Sequence, residues 1–148
     1  MTNLNNHPES VSVRVPATAA NLGPGFDSIG MAVDLWSELT GTRGPFEVTI
    51  EGDGADVLPT DEGNLVVAGA RAAYNARGAE FPNLKFHCVN EIPFARGLGS
   101  SSAAIVSGIV AGFALQGDGT DPHEALLLAA EIEGHPDNVA PAIFGGFQ

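Results

Sequence analysis

A glycine- and serine-rich segment between a predicted strand and a predicted helix limits the fold of this chain more than any other feature. In residues 84–90 (LKFHCVN) apolar and polar side chains alternate, which is typical of a half-buried strand. Residues 102–115 are small or apolar on nearly every side, which favours a helix buried in a core. Residues 97–102 (GLGSSS) therefore lie where a strand leads into the N-terminus of a helix.

That position suits the binding of an anion. The first N–H groups of a helix lack partners within the helix, and the helix dipole adds roughly half a positive charge there. Glycines let the backbone approach a polyphosphate closely, and serine hydroxyls can donate to phosphate oxygens or bind magnesium. The segment could therefore hold phosphate groups although it contains no lysine.

Other interpretations of the same segment are open at this point. Glycine and serine also cap buried helices without any further function. A Walker loop requires a lysine, and a dinucleotide fingerprint requires a glycine in place of Ser102, so neither motif is matched. A nucleophilic serine on a strand-to-helix elbow would require a glycine in place of Ala103.

Two more segments combine polar side chains with turn residues. In NLGPGFDSIG, Asn21 and Asp27 flank a Gly-Pro-Gly turn, which an ordinary Asx turn also explains. In EIEGHPDNVAP, a helix C-cap followed by a proline turn explains the glycine and the proline. It does not explain the group formed by His135, Asp137 and Asn138 beside Glu133, where a carboxylate suits magnesium but the ligands are too few for zinc.

The rest of the chain predicts a mixture of strands and helices. A first strand is predicted within residues 11–17, where Pro16 stops it. Further strands are predicted at residues 29–36 and at residues 46–52. Helices are predicted at residues 65–74, between an Asn64 cap and a Gly78 stop, and from an Asp121 cap to about Glu133. Residues 142–147 (AIFGGF) have the composition of a strand interrupted by glycines. This order indicates a mixed α/β or α+β domain.

Composition excludes several classes of partner. Six basic and 18 acidic residues give a formal net charge of −12, so neither nucleic acid nor an anionic membrane is expected as a partner.

A single cysteine, Cys88, excludes an intramolecular disulfide. The first residues lack the pattern of a signal peptide, and the longest apolar stretch is too short to span a membrane. A soluble, cytoplasmic protein is predicted.

The three polar segments together indicate a kinase. A helix N-terminus for phosphates, a carboxylate for a hard cation and polar groups for a small substrate are the parts of phosphoryl transfer, in which positioning and charge compensation dominate. The same segments, PATAANLGPGFDSIG, PFARGLGSSSAA and EGHPDNVAPAIFGGF, resemble in the same order those of homoserine kinases in the GHMP kinase superfamily. The resemblance implies ATP-dependent phosphorylation of L-homoserine to O-phospho-L-homoserine in threonine biosynthesis.

The resemblance also implies roles for individual residues. Magnesium would be held by Ser101 and Glu133. Asp137 and Asn138 are the candidate catalytic residues. Asp137 either acts as a catalytic base, as in mevalonate kinases, or the reaction proceeds by transition-state stabilisation without a dedicated base. The predicted ATP-binding residues are Pro93, Arg96, Gly97, Leu98, Gly99, Ser100, Ser101 and Ser102. The predicted homoserine-binding residues are Asn21, Asp27, His135 and Asn138.

The implied fold is α+β, like that of the second domain of ribosomal protein S5. Residues 1–10 are expected to form a frayed tail and residues 11–148 the N-terminal ATP-binding domain of a GHMP kinase. Because the family's members are about twice as long, a C-terminal domain is expected to be absent from this chain. Alternatives left open are another small-molecule kinase of the mevalonate type and a non-catalytic binding protein with this fold; a homodimer is also left open.

Overall fold

The chain forms one four-stranded sheet and four helices within the residues described by the structure, a computed structural model that covers residues 7–20, 29–93 and 97–148. In chain order the elements are β1 (Ser10–Ala20), β2 (Gly30–Arg43), β3 (Glu47–Gly52), α1 (Leu65–Ala76), β4 (Leu84–Asn90), α2 (Ser100–Leu115), α3 (Pro122–Glu133) and α4 (Val139–Phe144). Among these residues no helix is both long and apolar enough to cross a membrane.

The sheet has the strand order β1-β2-β4-β3. The pairs β1/β2 and β2/β4 are antiparallel, whereas β3 and β4 are parallel and are connected through α1. Alternation along β4 turns Leu84, Phe86 and Cys88 into the core, so that Lys85 and His87 lie on the opposite, polar face. The helices therefore cover one face of the sheet.

Helix α2 is the centre of the core and packs very closely against α1. A Cβ atom added to Gly108 would lie 2.2 Å from the carbonyl oxygen of Val66, and one added to Gly69 would lie 2.3 Å from that of Ile105. Neither position can hold a side chain without moving a backbone. The glycines inside the apolar run of α2 therefore serve close helix packing and fix where the N-terminus of α2 lies relative to the sheet.

Local capping signals predicted most helix boundaries correctly. The Asn64 side chain accepts a hydrogen bond from the Val66 N–H at 2.9 Å, and the Asp121 side chain accepts one from the His123 N–H at 3.1 Å. Helix α3 ends at Glu133, followed by Gly134 in the left-handed region with φ 97°. Helix α2 begins at Ser100, two residues earlier than the sequence predicted, so all three serines lie in its first turn.

Three predictions of secondary structure were wrong, and one of them concerns β2, which continues beyond the predicted end at residue 36 to Arg43. Residues 142–147 do not form a strand: they include the end of α4, and only Phe147 makes an isolated bridge, with Met31. Pro141 is tolerated because it lies in the first turn of α4, where a backbone N–H has no partner within the helix. Strand β1 also continues past Pro16 to Ala20, because β1 is an edge strand and its pairing with β2 is irregular at that proline.

Candidate active site

The first turn of α2 offers backbone N–H groups to a ligand. The residue before the helix, Gly99, has φ 71°, and Gly97 has φ 72°, so both use the left-handed region that glycine favours. Gly99 has no side chain to cap the helix, and the first turn contains no acidic residue. The partial positive charge of a 16-residue helix is therefore not neutralised by capping residues at this end.

The three serines of this turn lie in different environments. Ser101 is exposed, and Ser100 is half-buried. Ser102 is fully buried, and its hydroxyl has no hydrogen-bond partner among the described residues. Any contribution of Ser102 to anion binding would therefore come from its backbone N–H rather than from its side chain.

Ser101 and Glu133 are neighbours at the start of α2. The Ser101 Oγ donates a hydrogen bond to Glu133 Oε1 at 2.8 Å, because the last residue of α3 lies next to the first turn of α2. Adjacent oxygen ligands of an octahedral magnesium ion at about 2.1 Å lie about 3 Å apart. This separation and the oxygen-only chemistry fit two magnesium ligands, with phosphate and water completing the shell.

The turn after α3 is organised by a buried carboxylate. The side chain of Asp137 is 1% exposed and its Oδ1 accepts hydrogen bonds from His135 Nδ1 and, at 3.0 Å, from the Asn138 N–H. The His135 side chain is 45% exposed. The His135 ring is therefore held at Nδ1 by Asp137, and its outer side is open to a ligand.

Thr18, which the sequence did not single out, connects this turn to the start of α2. Its hydroxyl donates to Asn138 Oδ1 at 2.7 Å, and its backbone N–H donates to the Leu98 carbonyl at 2.9 Å. Gly99 packs directly against it, since an added Cβ would lie 2.0 Å from Thr18 Oγ1. The only signal in the sequence was one hydroxyl among alanines in PATAAN.

A mostly apolar cavity of about 180 Å³ opens beside Ser100 and Ser101. It adjoins a smaller one of about 40 Å³ that reaches Cys88 under the sheet. Burial raises the pKa of the Cys88 thiol to about 11, so the thiol is neutral at pH 7. The larger cavity is lined by Leu58, Pro59, Gly63, Asn64, Leu65, Ser100, Ser101 and Ala104. The cavity lies directly beside the N-terminus of α2, and its lining is mostly apolar.

The structure therefore brings together two groups of the predicted residues. Glu133 joins Ser101, and Asn138 joins Leu98 and Gly99 through Thr18. Pro93 is half-buried shortly after β4. The predicted residues Asn21, Asp27 and Arg96 lie outside the described ranges.

Comparison with known proteins identifies the family of this chain. Residues 64–146 match the family model described as the GHMP kinases N terminal domain. The chain is 49% identical over 138 residues to a homoserine kinase of Carboxydothermus hydrogenoformans, covering 92% of this chain and 45% of that protein. The chain thus spans about half the length of the curated relatives it matches.

Solved structures give the same result. A crystal structure of homoserine kinase from Cytophaga hutchinsonii superposes with a TM-score of 0.84 at 31% identity, covering 99% of this chain and 50% of that one. The mevalonate kinase of Methanococcus jannaschii, at 17% identity and a TM-score of 0.75, shares the fold. The predicted α+β fold, like the second domain of ribosomal protein S5, is confirmed. The chain belongs to the GHMP kinase family and carries its N-terminal domain.

Proposed function

We propose that this chain is the ATP-binding part of a homoserine kinase, which transfers the γ-phosphoryl group of ATP to the side-chain hydroxyl of L-homoserine. The product would be O-phospho-L-homoserine, an intermediate of threonine biosynthesis, and we expect the enzyme in the cytoplasm. The observation that carries the proposal is the pairing of Ser101 with Glu133 at an uncapped helix N-terminus. Residues 11–148 would form the N-terminal, nucleotide-binding domain.

The nucleotide would bind along the start of α2. The phosphates would accept hydrogen bonds from the N–H groups of residues 100–102, with Gly97 and Gly99 allowing close approach. The base would enter the apolar cavity beside Ser100. Pro93 and Arg96 are further proposed ATP-binding residues. Arg96 carries a positive charge and directly precedes residues 97–102 in the sequence.

Magnesium would be held by Ser101 and Glu133. When bound, the ion would neutralise negative charge on the phosphates as the γ-phosphoryl group departs. Within residues 7–20, 29–93 and 97–148 there is no group of three or more His, Cys, Asp or Glu side chains that could hold a metal ion. That fits magnesium, which is usually bound through one or two carboxylates together with substrate phosphates.

Homoserine would lie against the turn after α3. His135 and Asn138 would line its site, together with Asn21 and Asp27. Asp137 is almost fully buried and already accepts two hydrogen bonds, which supports a positioning role toward His135 rather than proton abstraction. Phosphoryl transfer through a loose transition state demands little proton abstraction, so such a site needs no dedicated base.

The test is a coupled assay of ADP release by the full gene product with magnesium and ATP. Homoserine, mevalonate and galactose are offered separately, and release without an acceptor is subtracted. We expect turnover with homoserine alone. Turnover with mevalonate alone would refute the substrate assignment while preserving the kinase, and no release with any acceptor would favour a non-catalytic binding protein.

A further inference from the structure

We propose that Thr18 is a positioning residue that fixes the carboxamide of Asn138 for the phosphate acceptor and couples it to the phosphate-binding turn. This inference rests on the proposed function, because it assigns Asn138 to the acceptor site. It concerns a residue that is 0% exposed and whose hydroxyl is hydrogen-bonded to Asn138. Thr18 acts through the residues that it holds.

The first argument is the state of Asn138. An asparagine at a helix N-cap usually accepts a hydrogen bond from the first turn with its side-chain oxygen. Asn138 precedes α4 but makes no such capping bond, and its Oδ1 instead accepts the Thr18 hydroxyl at 2.7 Å. The side chain is thereby oriented across the site, with its Nδ2 donors left for a ligand, since Nδ2 has no hydrogen bond to the described residues.

The second argument is the space around the Thr18 hydroxyl. An added Cβ at Gly99 would lie 2.0 Å from Thr18 Oγ1 and 3.4 Å from Asn138 Oδ1. The loop backbone thus packs against the Thr18–Asn138 pair and leaves room for nothing larger than glycine. A buried hydroxyl costs free energy unless it is hydrogen-bonded, so packing alone would be served as well by valine.

The third argument is that Thr18 holds both sides of the site. Its backbone N–H donates to Leu98, directly before Gly99, at 2.9 Å, while its side chain holds Asn138. The acceptor group and the phosphate-binding turn are therefore positioned relative to one residue of β1. Small misplacements of reacting groups are costly in phosphoryl transfer, where positioning supplies much of the rate.

The test is a double-mutant cycle on the full gene product, with Thr18→Val, Asn138→Ala and the double variant. Thr18→Val keeps the shape and the backbone bond to Leu98 but removes the hydroxyl. We expect kcat/KM for homoserine to fall about tenfold, the effect of one lost hydrogen bond, with KM for ATP nearly unchanged. The double variant should be no slower than Asn138→Ala, since Thr18 acts through Asn138.

Two controls keep the result interpretable. Thr40→Val removes a hydroxyl that pairs with Ser12 on the polar face of the sheet, and it should leave kcat/KM unchanged. If Thr18→Val does not fold, Thr18→Ser is compared with Thr18→Ala, which differ only in the hydroxyl. Thr18→Ser should be about tenfold faster than Thr18→Ala.

Three outcomes would overturn the inference. Losses that add in the double variant would show that Thr18 does not act through Asn138. Equal rates for Thr18→Ser and Thr18→Ala would show that its hydroxyl does not matter. A wild-type enzyme that phosphorylates no acceptor would refute the proposed function itself, and with it this role of Thr18; the first two outcomes leave the proposed function standing.

Discussion

The Ser101→Ala substitution tests the proposed magnesium site most directly. Ser101 is exposed, and its hydroxyl makes one hydrogen bond, to Glu133 at 2.8 Å, so its loss should change the free energy of unfolding by no more than about 0.5 kcal/mol. If the same hydroxyl is a magnesium ligand, the loss is larger in function than in folding. We expect apparent magnesium affinity to fall at least tenfold, or about 1.4 kcal/mol.

The assay is the initial rate of ADP release as a function of free magnesium at saturating ATP and homoserine. The matched control is Ser107→Ala on the same helix: Ser107 is 2% exposed, and its hydroxyl donates to the Ala104 carbonyl at 2.9 Å. This control should change the free energy of unfolding by less than about 1 kcal/mol, because the Ala104 carbonyl keeps its partner within the helix, and it should leave the magnesium dependence unchanged. Equal shifts in magnesium dependence for both variants would refute the assignment of Ser101 as a ligand.

Three further predictions concern stability. Gly108→Ala should lower the free energy of unfolding in urea by about 2–3 kcal/mol, because its methyl group would meet the Val66 carbonyl, whereas Gly119→Ala, with open space around it, should change it by less than about 0.5 kcal/mol. Asn64→Ala should cost about 1 kcal/mol through the lost N-cap of α1, measured by thermal unfolding; an unchanged melting temperature would contradict that role. The Cys88 thiol has its pKa raised to about 11 by burial from an ordinary 9.0, so the unfolded chain ionises first and stability should fall as pH rises from 9 to 11. The free energy of unfolding, measured by urea titration at pH 8 and at pH 10, should fall less for Cys88→Ala than for the wild type. Identical losses would contradict the raised pKa of Cys88.

Signals within a few residues were enough to predict most of the elements. The alternation of residues 84–90 gave β4 correctly, and the Asn64 and Asp121 caps gave the starts of α1 and α3. Helix α4 was missed because Ile143 and Phe144 are followed by glycines, a pattern that a short strand shares. The segment is a helix because α4 packs against β1, β2 and α2, and that packing has no signal in the local sequence.

The candidate site was predictable only where one segment carries it. The glycines and serines of residues 97–102 indicated an anion site from local physics, and both Gly97 and Gly99 use the positive φ that such residues allow. The pairing of Ser101 with Glu133 joins positions 32 residues apart, and family resemblance rather than periodicity indicated it. The Thr18 contact joins positions 120 residues apart and was missed altogether.

The charges of the protein explain why magnesium should be indispensable to the proposed reaction. Lys85 lies on the face of the sheet opposite to the helices. Each arginine in the described part of the chain has a partner elsewhere: Arg14 with Glu38, Arg43 with the Pro8 and Leu115 carbonyls, Arg71 with Glu62, and Arg77 with Asp118 and Glu124. With a net charge of −12 on this chain, we propose that the N-terminus of α2, Arg96 and a bound cation compensate the charge of the phosphates. Because a helix terminus supplies about half a charge and Arg96 one more, removal of magnesium by chelation would leave most of the phosphate charge uncompensated by this chain, and we expect ADP release to fall to the level measured without acceptor.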